Sequence, residues 1–280
     1  IDSTQIECEI LLFDDGSDER YVLANQPLTN REGVICFDAG KNIGRIEARK
    51  ALAAHARFDW LLFMDSDSRI IKSDFLISYL NKLNKTVDIV VGGRVYPNEK
   101  PDTCHQMLHW KYGRCREKTD DRFIFMTNNF CIRKSIFNQI HFPKTLQGYG
   151  HEDTWMGIQL KQLGSRMVFI ANPVLHAGIE DATTFISKSE QALHNVAALE
   201  LLVPQKDLER FIKLYHYYKL QQRWHLSWFL IRFEELFHSF ILKNLTSCYP
   251  HLWLFDFYRL VYFIKINQQS SSENSVVKRN

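Results

Sequence analysis

The sequence predicts an α/β fold, a mixed and mostly parallel sheet with helices on both faces, followed by a helical C-terminal extension. Two observations make that prediction. Through the first two-thirds of the chain, short apolar runs alternate with segments of helical composition at the spacing of βαβ units. Beyond about residue 187 the strand pattern stops and aromatic residues crowd into helical segments. Of the 62 residues from 204 to 265, 17 are Phe, Trp or Tyr, against 20 in the other 218.

The elements follow in order. Residues 9–13 read as a buried strand, closed by the turn cluster Asp14-Asp15-Gly16-Ser17 and a short polar helix. A second strand at 33–37 leads through Gly40-Lys41-Asn42-Ile43-Gly44 into an alanine-rich helix at 45–57. The third strand, 59–64, ends in Asp65-Ser66-Asp67, and a helix at 73–83 and a fourth strand at 88–91 follow. The pattern weakens from 97 to 122. Strand character returns at 123–133, where the sheet is expected to become mixed, and a helix at 153–163 and a strand at 167–170 complete the α/β part. The expected divisions are an α/β domain over 1–195, an aromatic-rich helical extension over 196–267 and a disordered tail over 268–280.

Composition narrows the partners. With 45% apolar and 24% charged residues, the 280-residue chain can bury a sizeable core. A net charge of +3 is too balanced to point to nucleic acid. No apolar run approaches the ~20 residues that a spanning helix needs. The charge is unevenly spread, however: residues 204–280 carry 11 Lys/Arg against 6 Asp/Glu, so they are basic and the remainder slightly acidic. Basic, aromatic helices of this kind either lie on a membrane surface or pack on the α/β domain or on a second copy. Six cysteines without a CxxC pair predict reduced thiols, a reducing compartment and no structural zinc.

Chemistry is concentrated at strand ends, where open α/β sheets bind ligands. Asp14-Asp15 and Asp65-Ser66-Asp67 both fall there. In an extended segment Asp65 and Asp67 point the same way, and two such carboxylates suit a hard divalent cation that also touches a phosphate. The competing reading is that Asp favours turns after strands. Glu152 and Asp153, in Gly148-Tyr149-Gly150-His151-Glu152-Asp153, suit the positive end of a helix, yet a carboxylate there could equally serve as a general base. His176, at the end of Asn172-Pro173-Val174-Leu175-His176, is either a structural imidazole or a metal ligand.

Taken in order, LLFDDGSDE, GKNIGRIEARKALA, WLLFMDSDS, MTNNFCIRKSIF, GYGHEDTWMGIQL and NPVLHAG resemble the family 2 glycosyltransferases over roughly residues 9–197. The resemblance implies the GT-A fold, a Rossmann-like sheet, and an inverting, metal-dependent transfer of sugar from a nucleotide-sugar, with UDP-sugars the expected donors. Asp15 matches the position that reads the nucleotide base, with Asp14 supporting its turn and Arg49 near the nucleotide. Asp65 matches the residue facing ribose and metal, Asp67 the direct ligand of Mg2+ or Mn2+, and His176 the histidine completing the metal shell. Asp153 matches the catalytic base. Glu152, Tyr149, Asn128 and Asn129 fall where donor sugar and acceptor are contacted. The implied acceptor is a saccharide or a lipid-linked molecule in surface polysaccharide or glycolipid synthesis. The implied location is the cytoplasm, at most peripheral on the inner face of the cell membrane.

The pattern also departs from the family. No proline–threonine–tyrosine–asparagine type motif precedes Glu9, so about one βα unit, with a central strand, is expected to be absent. Gln221-Gln222-Arg223-Trp224 approaches a QxxRW motif of processive synthases but has Leu220 where glutamine is needed, which favours transfer of one sugar per encounter. A retaining transferase and a catalytically inactive sugar- or nucleotide-binding adaptor are the alternatives.

Overall fold

The computed structural model describes residues 6–117 and 125–277, with side chains described to residue 269. Its strands are β1 (Ile10–Asp14), β2 (Val34–Asp38), β3 (Trp60–Met64), β4 (Ser68–Ile70), β5 (Ile89–Val91), β6 (Arg94–Val95), β7 (Asn129–Arg133), β8 (Met167–Phe169) and β9 (Val174–His176). The helices are α1 (Glu19–Thr29), α2 (Arg45–His55), α3 (Phe75–Leu80), α4 (Met107–Tyr112), α5 (Lys134–Phe137), α6 (Glu152–Gln162), α7 (Ala182–Glu200), α8 (Gln205–Phe211), α9 (Lys213–Arg223), α10 (Ser227–Leu245) and α11 (Leu252–Val277). A π-helical turn, Gly113–Glu117, continues α4.

The main ladder has the order β3-β7-β5-β8, and its central strands β5 and β7 are mostly apolar, with Ile89, Phe130 and Ile132 fully buried. Burial on both faces is what a continuous apolar strand requires. A mixed sheet was expected and is observed, but the parallel majority is not. Among the described residues three pairings are parallel (β1–β2, β5–β8, β6–β9) and three antiparallel (β3–β7, β5–β7, β4–β9). The cause is β7. The long excursion through α4 leaves the chain at the carboxyl end of β5, so β7 must run back between β3 and β5 instead of crossing over to run parallel.

β1 and β2 form a ladder of their own, so β1 and β3 each have a single hydrogen-bonded neighbour among the described residues. The two ladders are joined by packing. Leu11 and Leu52 lie against the core that contains Ala53, Phe63 and Phe130. Glu9 accepts hydrogen bonds from the Arg57 backbone N–H at 2.6 Å and from Nε at 2.8 Å. The third ladder, β4-β9-β6, is small, but it sets Ser68 opposite His176 and so joins the two strand ends that matter for the site.

The expected division at 195 falls inside α7, which packs in both directions. Phe185 and Ile186 meet Leu108, Ile241 and Phe255, while Leu193, Val196 and Leu199 meet Ile158, Tyr215 and Phe263. The C-terminal helices therefore lie directly on the α/β part. Helix α11 continues to Val277, where a disordered tail from 268 was expected; residues 278–280 lie outside the described residues.

One expectation about the cysteines is corrected. Cys104 and Cys248, 144 residues apart, are joined in a disulfide with their Cα atoms 4.2 Å apart. Their spacing carried no signal, because only the packing of α11 against α4 brings the α10–α11 turn next to the approach to α4. Closing so long a loop restricts the unfolded chain, so Cys248→Ser is expected to lower unfolding free energy by about 2–5 kcal/mol in denaturant titrations under oxidising conditions. An unchanged midpoint would contradict the pairing.

Candidate active site

The first acidic cluster turns inward onto backbone. Asp14 caps the turn after β1, accepting from the Ser17 N–H at 2.7 Å. Asp15 accepts from the N–H of Ile43 at 2.6 Å and of Gly44 at 3.0 Å, fixing the loop that opens α2. Gly16 has φ +79°, and a Cβ there would lie 2.6 Å from the Asn42 nitrogen. The DDGS cluster and the GKNIG loop are thus two halves of one interlocked turn at the end of the β1–β2 ladder.

The second cluster is not extended. The Ser68 N–H donates to the Asp65 carbonyl at 3.1 Å, closing a turn over 65–68 that sends the two carboxylates to different partners. Asp65 is held by Arg49 Nη2 at 2.8 Å. Asp67 faces His176, with Oδ1 3.4 Å from Nδ1. Burial works against ionised Asp67, yet the His176 imidazole and the charges of Arg45 and Arg94 hold its carboxyl below the ordinary value. The equivalence of Asp65 and Asp67 expected from their spacing is corrected by this turn. Among the described residues no group of three or more His, Cys, Asp or Glu side chains gathers at metal-binding range. A carboxylate and an imidazole side by side nonetheless fit two positions of a divalent ion whose other ligands are phosphate oxygens.

The third cluster is the most elaborate. Glu152 is buried and ion-paired with Arg45 at 3.1 Å and with Arg49 at 4.0 Å. Burial alone would raise its pKa, but the two guanidiniums outweigh it and hold Glu152 low. Asp153 has the opposite fate. Burial and the neighbouring Glu152 carboxylate push it up to about 6, against stabilisation by the Thr154 N–H, which donates to it at 2.7 Å. Two adjacent carboxyls, one held ionised and one poised near neutrality, are the electrostatic pattern of an acid–base site.

The loop that delivers them is locked from α7. The Asn195 amide donates to the carbonyls of Gln147, Tyr149 and Gly150 at 2.8–3.3 Å and accepts from the Gln147 N–H. Gly150 has φ +96°, and a Cβ there would lie 2.5 Å from Ala192 Cβ, so the close approach the flanking glycines suggested is made by α7. His151 follows with φ 63°. Burial and the Arg259 charge lower its pKa to about 4, which keeps the imidazole neutral.

Arg45, Asp65, His151, Glu152 and Asp153 line a cavity of about 190 Å³ that also takes in Arg94, Glu117, Asn128, Tyr149 and Arg259. Tyr149 lies between two cations, with Arg45 5.2 Å and Lys188 5.1 Å from its ring centre. Asn128 lines the cavity and is 5% exposed, and among the described residues neither its amide nitrogen nor its oxygen, both buried, has a hydrogen-bond partner. Asn129, expected beside it, does not reach the cavity and is corrected to a structural role. As the next residue it points the other way, fully buried, accepting from Tyr79 Oη at 2.6 Å and donating to the Gly93 and Asn172 carbonyls at 2.9 Å. Sequence reading missed Arg45, Arg94, Glu117, Asn195 and Arg259. Arg45 stood inside the quoted GRIEARK stretch. The others come from segments whose composition carries no site signal.

The model for glycosyl transferase family 2 matches residues 1–141, just over half of the 280. This chain belongs to glycosyl transferase family 2. Among solved structures it is similar to the mannosyltransferase PcManGT from Pyrobaculum calidifontis, in complex with GDP-Man and Mn2+, with TM-score 0.55 and 13% identity over 93% of this chain and 77% of that one. It is also similar to TarS of S. aureus, with TM-score 0.42 and 14% identity over 66% of this chain and 55% of that one. No curated protein sequence matches it. The chain is thus a glycosyltransferase with the GT-A fold, a class that works on nucleotide-sugar donors.

The two asparagines of this transferase separate structure from function. Asn129→Ala strands three buried polar partners and is expected to cost about 3 kcal/mol of unfolding free energy, whereas Asn128→Ala removes an unpaired amide and is expected to change it by less than ~1 kcal/mol. Equal destabilisation of the two variants in denaturant titrations would contradict these placements.

Proposed function

We propose that the protein transfers a sugar, with inversion, from a nucleotide-sugar to a hydroxyl of a saccharide or lipid-linked acceptor. The observation that carries this reading is the Asp153 carboxyl, aimed into the cavity at the start of α6, without an ion-pair partner among the described residues and raised to about 6. At neutral pH it is ionised yet basic enough to take a proton. As the acceptor oxygen attacks the anomeric carbon, Asp153 takes its proton while the bond from that carbon to the diphosphate oxygen breaks. One displacement inverts the centre, and no covalent nucleophile is needed.

The remaining residues bind and orient. Asn128 and Tyr149, both on the cavity wall, are the proposed contacts to the sugar, Tyr149 with a ring already flanked by Arg45 and Lys188. Glu152, held ionised by Arg45 and Arg49, keeps the second carboxylate out of the proton transfer. Asp14 and Asp15 shape the nucleotide-side loop, and Asp65, oriented by Arg49, faces the ribose. Asp67 and His176 would hold Mg2+ or Mn2+, which when bound stabilises the charge on the departing diphosphate as a Lewis acid. UDP-sugars are the proposed donors. Asp153→Asn is expected to lower transfer by ~100-fold or more with nucleotide affinity kept, read by nucleoside diphosphate release and calorimetry. Retained turnover would reject the assignment, and NMR of the product anomer would show whether inversion holds.

The proposal extends to a membrane surface. Helix α10 buries Glu234, Ile241 and Leu245 and exposes Trp228, Phe229, Phe233, Leu236, Phe237 and Phe240, with Arg232 and Lys243 on its exposed surface. No helix among the described residues is long and apolar enough to cross a membrane. An amphipathic helix of this composition instead inserts its apolar side at the headgroup boundary, with Lys243 facing the lipid headgroups and Arg232 paired with Glu235 at 3.0 Å. Co-sedimentation with anionic vesicles is expected for the full chain and is expected to fall about tenfold or more in Trp228→Ala/Phe229→Ala. Absence of binding would leave the acceptor saccharide and remove the surface.

A further inference from the structure

Arg259 is a cation of the cavity that the proposed mechanism leaves unused. Four carboxylates line the cavity, and three have arginine partners: Asp65 with Arg49, Glu117 with Arg94 and Glu152 with Arg45. Arg259 pairs with none of the carboxylates among the described residues. Its Nη1 donates to Tyr112 Oη at 3.1 Å, and its buried Nε has no hydrogen-bond partner. The guanidinium carbon lies 5.7 Å from the Tyr112 ring centre and 5.5 Å from that of Phe255, so two aromatic rings orient the group without neutralising it. A rigidly held guanidinium with open donors in a cavity is a fork for a planar or tetrahedral anion.

We infer that Arg259 recognises an anionic group, a phosphate or a carboxylate, on the acceptor, and so selects acceptors that carry one close to the hydroxyl being glycosylated. This inference rests on the reading of Asp153 as the base. Arg259 lines the same cavity as Asp153, and its charge is felt at His151, the residue before Glu152-Asp153. Of the residues given to the nucleotide side, Asp65 reaches that cavity, whereas Asp14, Asp15, Asp67 and His176 do not. An anion held by Arg259 lies near His151, beside the base. Its charge also restores balance to a cavity wall that otherwise presents a half-buried cation with no carboxylate partner among the described residues. The C-terminal helices thereby become part of the specificity machinery, because Arg259 comes from α11 and its rings come from α11 and α4.

The test titrates the full chain by calorimetry with glucose 1-phosphate, glucuronate and farnesyl phosphate, with glucose as the neutral control. UDP and GDP are titrated in parallel, and everything is repeated with Arg259→Gln and Arg259→Lys. The expected result is that at least one anionic probe binds more tightly than glucose, with affinity ~10- to 100-fold lower in Arg259→Gln and partly restored in Arg259→Lys. Nucleotide affinity is expected to stay unchanged. The probe bound most tightly identifies a sugar phosphate, a uronate-type carboxylate or a lipid phosphate as the source. Anionic probes that bind no better than glucose, or equally well in Arg259→Gln, would overturn the inference. So would a loss of nucleotide affinity in Arg259→Gln, which would put the guanidinium on the donor diphosphate. Full transfer activity in Asp153→Asn with Arg259-dependent anion binding intact would reject the base assignment alone.

Discussion

The site depends on one buried carboxylate. Glu152 sits at the start of α6 between the guanidiniums of Arg45 and Arg49 from α2, and Arg49 in turn holds Asp65 and the Thr127 carbonyl. This cluster ties α2, the end of β3, the approach to β7 and the start of α6 to a common centre. A buried ion cluster adds little net stability over an apolar one but tolerates few geometries, because each charge must keep its partner. Here it fixes where four segments meet. It also sets the electrostatics next door, since the Glu152 charge, after burial and ahead of the Glu117 charge, lifts Asp153.

Around that centre the fold acts as a positioning device. The small β4-β9-β6 ladder brings Asp67 to His176, although the two are far apart in sequence. Asn195 from α7 grips the glycine-rich loop before α6, and Ala192 fills the space that Gly150 leaves. Arg259 arrives from α11. The helical C-terminal part is therefore a wall of the cavity as well as a cover for the sheet.

Much of this was legible in the sequence, for physical reasons. Apolar runs marked the strands because both faces of the central strands β5 and β7 are buried, and most boundaries agree within a residue or two. Acidic residues at strand ends marked the site because ligands bind there. What misled was local geometry. Asp65 and Asp67 are separated by a turn that spacing alone does not reveal, and the neighbours Asn128 and Asn129 take opposite fates because a strand begins between them. The direction of β7 and the Cys104–Cys248 bond depend on where long excursions return, which no local pattern encodes. Arg259 and Asn195 are ordinary helix-surface types until tertiary packing turns them inward.

The central claim is that Glu152 stays ionised and thereby keeps Asp153 basic. It is tested by following the Asp153 carboxyl carbon by NMR from acid to neutral pH, in the wild type and in Glu152→Gln. The expected wild-type midpoint is near 6, with Asp153 ionised above it, and it falls once the Glu152 charge is removed. A wild-type midpoint near the ordinary carboxyl value, or one that does not fall in Glu152→Gln, would contradict it.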